Sequence, residues 1–592
     1  MSAAAADKLW GLLNRSQRRR VWLLLGPMFV GMAMEALSVG LIVPLIALFT
    51  QPDYAHRYPA LQPVLAALGN PDHVTLVVGS MLALIVVYAI KAAFLAFLAW
   101  QQTSFAYGVQ AQLSQRLFTA YLRRPYPFHL QRNSAQLLRN LTAEVSALVN
   151  SALIPGMLLM AEALVLIGLL TLLLFVEPLG ATLVILALGA AAGGFHWLTR
   201  RRIARWGTAR QHHEGLRIQH LQQGLGGVKD VKLLGCEQEF SERYRPHNFK
   251  SAHVAHLQAT LQQLPRLWLE LLAVSGLALL VITMVARGRE LASVLPTLAL
   301  FAAAAFRLMP SANRVISGIQ ALRYGLPAIE VLHTELSAVT QPDDASAAAI
   351  TGVELPFRRD IQLEGVTYTY PGAAQPALRE LSVTIHSGQI VGFIGASGAG
   401  KSTLVDLILG LLSPDAGSVR IDGHDMRGNP RSWQNQIGYV PQTIYLTDDS
   451  LLHNVAFGVP RTEIDEAAVW RALRAAQMEE FVRSLPEGLQ TSMGERGVRL
   501  SGGQRQRIGI ARALYRDPKV LFLDEATSAL DTATERGVMQ AVLALRGSKT
   551  IIIVAHRMST VESCDRLYRL DHGRVVEQGS PQAMLQLTTS AH

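Results

Sequence analysis

Apolar runs long enough to cross the hydrocarbon core of a bilayer, about 20 residues each, recur along the first half of the chain and then stop. Six lie before residue 310, at 21–50, 74–100, 152–176, 179–198, 267–286 and 291–309. The stretches 101–151 and 199–266 between them are too polar for lipid, yet they keep apolar residues at helical spacing, as in Leu113, Leu117 and Tyr121 or Leu137, Leu138 and Leu141. The pattern predicts membrane helices that run on into the cytoplasm. A helix from 75 to 122 would be on the order of 70 Å long at 1.5 Å per residue, more than twice the hydrocarbon thickness. Residues 51–73, with Pro59, Pro63 and an apolar stretch from Leu61 to Leu68, predict a short helix lying on the outer membrane face. After residue 310 the character changes: 341–352 reads as a linker, and from about 355 β-branched runs alternate with helical patterns as in a soluble α/β domain. The expected division is a membrane domain at 1–340 with six spans, a linker at 341–354 and a second domain at 355–592.

Composition agrees with a chain partly in lipid. Of 592 residues, 50% are hydrophobic and 17% are charged, against a usual charged share of about 25%. The formal net charge of +10 could signal nucleic acid, an acidic membrane surface or an anionic substrate. Position decides. Arg15, Arg18, Arg19 and Arg20 precede the first run, Arg116, Arg123, Arg124, Arg132 and Arg139 lie between the second and third, and Arg200, Arg201, Arg202, Arg205, Lys229 and Lys232 lie between the fourth and fifth. Basic loops stay on the cytoplasmic side, so both termini are expected inside, Arg287 and Arg289 being the exception to the pattern. The charge is then mainly a topology signal, and a nucleic-acid partner is unnecessary. The first run is too long for a signal-peptide core and is expected to remain as a span. Two cysteines, Cys236 and Cys564, exclude a disulfide framework or a thiolate metal cluster.

The second domain carries the chemistry. Gly392-Phe-Ile-Gly395-Ala-Ser397-Gly398-Ala-Gly400-Lys401-Ser402-Thr403 follows the apolar run Gln389 to Ile394 and precedes the helix pattern Leu404 to Leu411. In a strand–loop–helix of this kind, glycines let backbone N–H groups close around phosphates at a positive helix end, the lysine reaches the β and γ phosphates, and the serine ligates Mg²⁺. A second apolar strand, Val520 to Leu523, ends in Asp524 and Glu525. An acid there is placed to hold the metal and its neighbour to polarise the attacking water, which assigns Asp524 to Mg²⁺ and Glu525 as catalytic base.

Between these motifs stands Leu500-Ser501-Gly502-Gly503-Gln504-Arg-Gln-Arg, and with it the sequence resembles the ATP-binding cassette family. The resemblance implies an all-α six-helix transmembrane domain fused to an α/β P-loop nucleotide-binding domain, with ATP and Mg²⁺ as cofactors. By the same resemblance Tyr370 stacks on adenine, Gln442 links Mg²⁺ to the membrane helices, Gly494-Glu-Arg-Gly497 is a cross-linking loop, Ser528-Ala-Leu-Asp531 senses the opposite site, and His556 contacts the γ-phosphate. Ser501, Gly502, Gly503 and Gln504 would cap ATP on another cassette, so a chain with one cassette must dimerise, and its intact motifs favour a homodimer. Pro125 to Leu137 and Lys232 to Phe240 are expected to be the coupling helices that carry force to the membrane.

Six spans before the cassette resemble the exporter class. The spans hold ionisable residues that are costly in lipid: Glu35, Lys91, Glu162, Glu270 and, at the boundaries, Arg266, Arg307 and Arg314. Pairing of Glu35 with Lys91 and snorkelling of the arginines is one reading; a positive lining for an anionic headgroup is the other. Phe306 to Arg314, Val21 to Pro44, Leu264-Pro-Arg266 and Asn133 to Leu138 look like the bacterial flippases of lipid-linked oligosaccharides. That resemblance implies transport of a polyprenyl-pyrophosphate glycan across the bacterial inner membrane, with Lys91, Arg266 and Arg307 on the pyrophosphate. The alternatives are an exporter of hydrophobic drugs or of another lipid such as lipid A and, in another class, an ATP-gated channel or sensor.

Overall fold

The computed structural model describes residues 3–41, 72–176, 178–286, 291–340, 355–494, 497–526, 532–555 and 558–584, with further side chains inside the helices, those of 291–307 among them, outside the description. The surface helix expected within 51–73, the linker, Ser528 to Asp531 and His556 lie outside the described residues. Contacts divide the chain into two units, one of Met1–Arg124 with Arg132–Gln341, the other of Pro125–Gln131 with Pro342–His592.

In the first unit each apolar run is the core of one long helix: Arg15–Gly40, His73–Arg123, Ile154–Val176, Pro178–Gly226, Glu237–Ala286 and Leu291–Thr340. The second of these is 51 residues long, and the last two are 50 residues each, as the apolar-then-amphipathic pattern requires. Along His73–Arg123 the change of environment is visible residue by residue. Leu82 and Ile85 are 59% and 64% exposed, the signature of a lipid-facing surface, whereas Leu113, Leu117 and Tyr121 are buried among neighbouring helices. Among the described residues three helical stretches, Arg15–Ser38, His73–Arg123 and Ser134–Leu172, each hold an 18-residue window apolar enough for a membrane span, with mean hydropathies of 1.6, 2.4 and 2.3.

The two segments expected to be coupling helices differ from the single helices expected. Pro125 to Leu137 forms two short helices, Tyr126–Gln131 and Ser134–Arg139. The break falls at Asn133, whose side chain accepts the Ala135 N–H and so caps the second helix. At the other segment, Val228–Leu234 ends at Gly235 with φ 63°, and the long helix restarts at Glu237. Lys232 to Phe240 is therefore a helix end, a left-handed glycine cap and a new helix start.

The second unit is built on two sheets. Strands β1 (Asp360–Tyr368), β2 (Leu378–His386), β4 (Ala416–Ile421) and β5 (His424–Asp425) form an antiparallel sheet in the order β2-β1-β4-β5. Strands β3 (Ile390–Gly395), β6 (Ile437–Val440), β7 (Val520–Asp524), β8 (Thr550–Val554), β9 (Arg566–Asp571) and β10 (Arg574–Gly579) form the other, in the order β10-β9-β3-β8-β7-β6. β9, β3, β8, β7 and β6 run parallel, and β10 adds an antiparallel edge. Parallel strands are covered on both faces and so read as unbroken apolar runs, which is what Val520-Leu-Phe-Leu and Thr550-Ile-Ile-Ile-Val are. Phe393, Trp433, Phe522 and Tyr568 fill the core shared with the antiparallel sheet; Leu451, Met478, Ile508 and Ile553 fill the core on the other side.

Candidate nucleotide site

Sequence places the phosphate loop at the carboxyl end of β3, in the middle of the parallel sheet, where open α/β sheets put their ligand crevice. Gly395 closes β3 with φ 152°, and a Cβ there would stand 2.3 Å from the Leu570 carbonyl oxygen. Gly400 is left-handed at φ 100° and hands the chain to the helix Lys401–Ile408. Both positions exclude a side chain, one by close backbone approach and the other by conformation. Lys401 is buried, and its Nζ donates to the Gly395 and Ala396 carbonyl oxygens at 2.9 and 3.0 Å. Burial lowers its pKa, and the Glu525 and Asp524 carboxylates oppose the change. Ser402 and Thr403 follow in the first helical turn, and Thr403 Oγ1 lies 3.1 Å from the hydroxyl of Tyr370. Ser397 and Gly398 complete the loop, Gly398 left-handed at φ 81°.

β7 runs beside β8 and delivers Asp524 to the same end of the sheet. Glu525 then adopts φ 51°, a conformation that is rare and strained for a residue with a side chain, and its N–H is held by the Val554 carbonyl at 2.9 Å. Gln442 Nε2 donates to Glu525 Oε2 at 2.7 Å. The two residues that sequence assigned to adjoining tasks are thus brought into contact across 83 positions of chain. Ser501 caps the 13-residue helix Gly502–Leu514 in a reciprocal box: Gln504 N–H donates to Ser501 Oγ at 3.2 Å, and Ser501 N–H donates to Gln504 Oε1 at 2.8 Å. Gly502 and Gly503 occupy the first turn, where unpaired N–H groups and the helix dipole favour an anion.

Three further residues belong to the site. Tyr439 donates its hydroxyl to Asp524 Oδ2 at 3.3 Å, and burial raises its pKa. Gln506 Nε2 donates to the Glu525 carbonyl oxygen at 3.4 Å, which ties the helix after Ser501 to the end of β7. Asp406 has its pKa pushed up to about 6 by burial and by the charge of Asp524. Tyr439 gave no signal in sequence, and Gln506 stood within the motif Leu500 to Arg507 without a role of its own. Asp406 did, since it stands four residues after Ser402 on one helix and so on the same face.

The Asp406 shift has a stability consequence. Its native pKa lies above the unfolded value of 3.8, so the folded chain holds the extra proton between about pH 4 and pH 6 and loses relative stability as pH rises through that window. Asp406→Asn should therefore gain in melting temperature relative to wild type from pH 5 to pH 7.5, read by thermal unfolding in detergent without nucleotide. A constant gap between the two proteins across that range would contradict the assignment.

Within the membrane unit the ionisable residues fall into two groups. Lys91 Nζ lies 3.2 Å from Glu35 Oε2 and 4.2 Å from the centre of the Tyr88 ring. Arg314 lies 2.6 Å from Glu162 Oε1. Arg266 and Glu270 are exposed on the Glu237–Ala286 helix and share no ion pair among the described residues. Of the thiols, Cys564 is buried, which pushes its pKa up to about 12, and Cys236 is half-buried.

Long apolar helices joined to an α/β unit with a phosphate loop and an acid-ended strand define an ATP-hydrolysing membrane transporter. The chain belongs to the ABC transporter family: residues 28–307 match the ABC transporter transmembrane region and residues 378–528 match the ABC transporter model. It is 32% identical over 480 residues to an ATP-dependent lipid A-core flippase of Cupriavidus pinatubonensis, covering 81% of this chain and 80% of that one. It is 34% identical over 488 residues to the protein of the same description from Cupriavidus metallidurans, covering 80% and 79%. Among solved structures, a bacterial Atm1-family ABC exporter with ATP bound shares the fold with a TM-score of 0.76, at 24% identity over 97% of each chain.

Proposed function

We propose that this chain is an ATP-driven lipid flippase of the bacterial inner membrane that works as a homodimer, with its termini and ATP-binding units in the cytoplasm. Its substrate is an amphipathic lipid with an anionic headgroup, of the lipid A-core type. The observation that carries the reading is the 32% identity, across 80% of their length, to proteins described as lipid A-core flippases, in a chain whose ATP site retains Lys401, Asp524 and Glu525.

In this reading ATP docks with its adenine on Tyr370 and its phosphates in the Gly395–Thr403 loop, where Lys401 exchanges the loop carbonyls for phosphate oxygens. Asp524, Ser402 and the carbonyl oxygen of Gln442 are hard oxygen donors that suit Mg²⁺, which keeps most of its shell as water and phosphate. Bound Mg²⁺ would neutralise phosphate charge; Glu525 accepts the proton of the attacking water, held in place by Gln442 Nε2. Ser501, Gly502, Gly503 and Gln504 close on the nucleotide of the partner chain, and His556 completes the γ-phosphate contacts.

A polyprenyl-pyrophosphate oligosaccharide is the second reading. It is favoured by Phe306 to Arg314 and Leu264-Pro-Arg266, and by Arg266 standing outside the intramembrane ion pairs Lys91–Glu35 and Arg314–Glu162 found among the described residues. Proteoliposomes loaded separately with a lipid A-core and with a polyprenyl-pyrophosphate glycan distinguish the two. ATP-dependent appearance in the opposite leaflet is expected for the lipid A-core. The Arg266→Ala and Arg307→Ala variants should slow it by about tenfold or more if each loses a charge-assisted headgroup contact. Movement of the glycan alone would select the second reading, and movement of neither, with ATP hydrolysis intact, would remove the lipid assignment.

A further inference from the structure

The chain passes between its two units three times, at Arg124/Pro125, at Gln131/Arg132 and at Gln341/Pro342. Whatever the ATP unit does to the membrane unit through the covalent chain must enter at these points. One buried polar network in the membrane unit takes a side chain from near each of the three along the chain.

Tyr121 stands one helical turn before the first crossing, Arg132 is the first residue after the second, and Glu335 lies less than two turns before the third. These three side chains meet. Tyr121 Oη donates to Glu335 Oε2 at 3.1 Å, and Arg132 is ion-paired to Glu335 Oε1. The contacts span 214 and 203 positions of sequence, so they are made by tertiary structure alone. The network continues inward. Asn140 Nδ2 donates to Tyr121 Oη at 3.3 Å, and Arg139 donates to Asn140 Oδ1 at 3.2 Å. Arg139 also faces Glu144 at 3.7 Å, and Arg210 closes on the second oxygen of Glu144 at 3.0 Å. Asn140 and Glu144 are fully buried, and Tyr121 and Glu335 nearly so.

The backbone under this network is irregular. Asn140–Glu144 and Val149–Leu153 are π-helical, two departures from α-geometry on the helix that leads into the third span. Such turns mark places where a helix gives up regular hydrogen bonding for a local placement of side chains, and they concentrate at functional sites. Here the first π-turn presents Asn140 and Glu144 to the network. Tyr121, Arg132 and Glu335 are engaged with one another, whereas Glu144 Oε1, Arg139 Nε and Arg210 Nε are buried without a hydrogen-bond partner among the described residues. A cluster with such spare buried groups can exchange partners between discrete arrangements, which is what a two-state joint requires.

We propose that Arg132, Glu335 and Tyr121, seated on the π-turn Asn140–Glu144, form the joint that makes the membrane helices follow the ATP unit. The three crossings move together because their side chains are locked to one another, and Arg210 extends the lock to the Pro178–Gly226 helix. These are positioning residues: none of them lies in the nucleotide site. The inference rests on the family assignment and is independent of the lipid.

Hydrogen–deuterium exchange of the full chain in nanodiscs, with and without ATP and vanadate, tests it. In wild type, nucleotide trapping should alter exchange both at the phosphate loop, 395–403, and in the cytoplasmic helix extensions, 199–266. Glu335→Gln and Arg132→Glu should keep the phosphate-loop response and basal ATP hydrolysis within about twofold, while the response of 199–266 falls by at least about fivefold. The reciprocal double variant Arg132→Glu with Glu335→Arg should restore at least about half of it. Tyr121→Phe removes one hydroxyl from the network and carries the test if a charge variant fails to fold. An unchanged response at 199–266 in the folded single variants, or its loss in step with the phosphate-loop response, would overturn the proposal.

Discussion

Glu525→Gln should lower steady-state ATP hydrolysis by about 10²- to 10⁴-fold, the range that a positioned general base contributes, while ATP still binds. The substitution keeps the shape of the side chain and an oxygen for the Gln442 amide to reach, so the contact now at 2.7 Å can persist. It removes the one property that matters to the water, a lone pair basic enough to take its proton. The backbone supports the assignment. Glu525 sits at φ 51°, with its N–H fixed to Val554, in a conformation that costs of order 1–3 kcal/mol for a residue with a Cβ. Such strain persists where the surroundings hold a side chain in one place. Phosphate release measured beside ATP binding, with the melting temperature as a folding control, separates chemistry from structure. Wild-type turnover in a folded Glu525→Gln protein would take the catalytic role away from this residue.

How far sequence reached is clearest from the contrast between the phosphate loop and the joint at Arg132. The loop, its strand and its helix are local: Gly395, Gly400 and Lys401 act within one strand–turn–helix unit, so composition and spacing describe them nearly completely. The six long helices were equally legible, because a membrane forces about 20 consecutive apolar residues and no other element does. The two segments expected to be coupling helices were not shaped correctly. A cap by Asn133 and a left-handed Gly235 break them where apolar periodicity alone runs on. The π-turns left no trace, since a single wider turn does not change which residues are apolar. The Arg132–Glu335 pair was out of reach altogether. Its partners lie 203 positions apart, each in a stretch where an isolated charge reads as solvated surface. In the lipid spans the logic reverses, because a charge there must find a partner, and Glu35 with Lys91 was therefore readable as a pair.

Two inactive chains should make one working site. If Ser501 closes on nucleotide held by the partner, Lys401→Ala abolishes trapping through the phosphate loop and Ser501→Arg abolishes it through the opposing helix, and each homodimer is dead. A mixed dimer is different, because one of its sites collects both defects and the other has neither. That intact site combines Lys401 of the Ser501→Arg chain with Ser501 of the Lys401→Ala chain. The local structure is suited to such a role. Ser501 is exposed at the start of a 13-residue helix, and its Oγ already accepts the Gln504 N–H, so its hydroxyl hydrogen remains to be donated to a phosphate oxygen. An arginine there removes the cap as well as blocking the approach. Random assembly of equal amounts gives about half mixed dimers with one good site in each, so vanadate-trapped nucleotide should recover to about a quarter of the wild-type amount. With the two chains tagged for separation, all of the trapped nucleotide should be found on the Ser501→Arg chain, which keeps Lys401. No trapping in the mixture, or trapping on the Lys401→Ala chain, would show that the site is not shared between chains in this way.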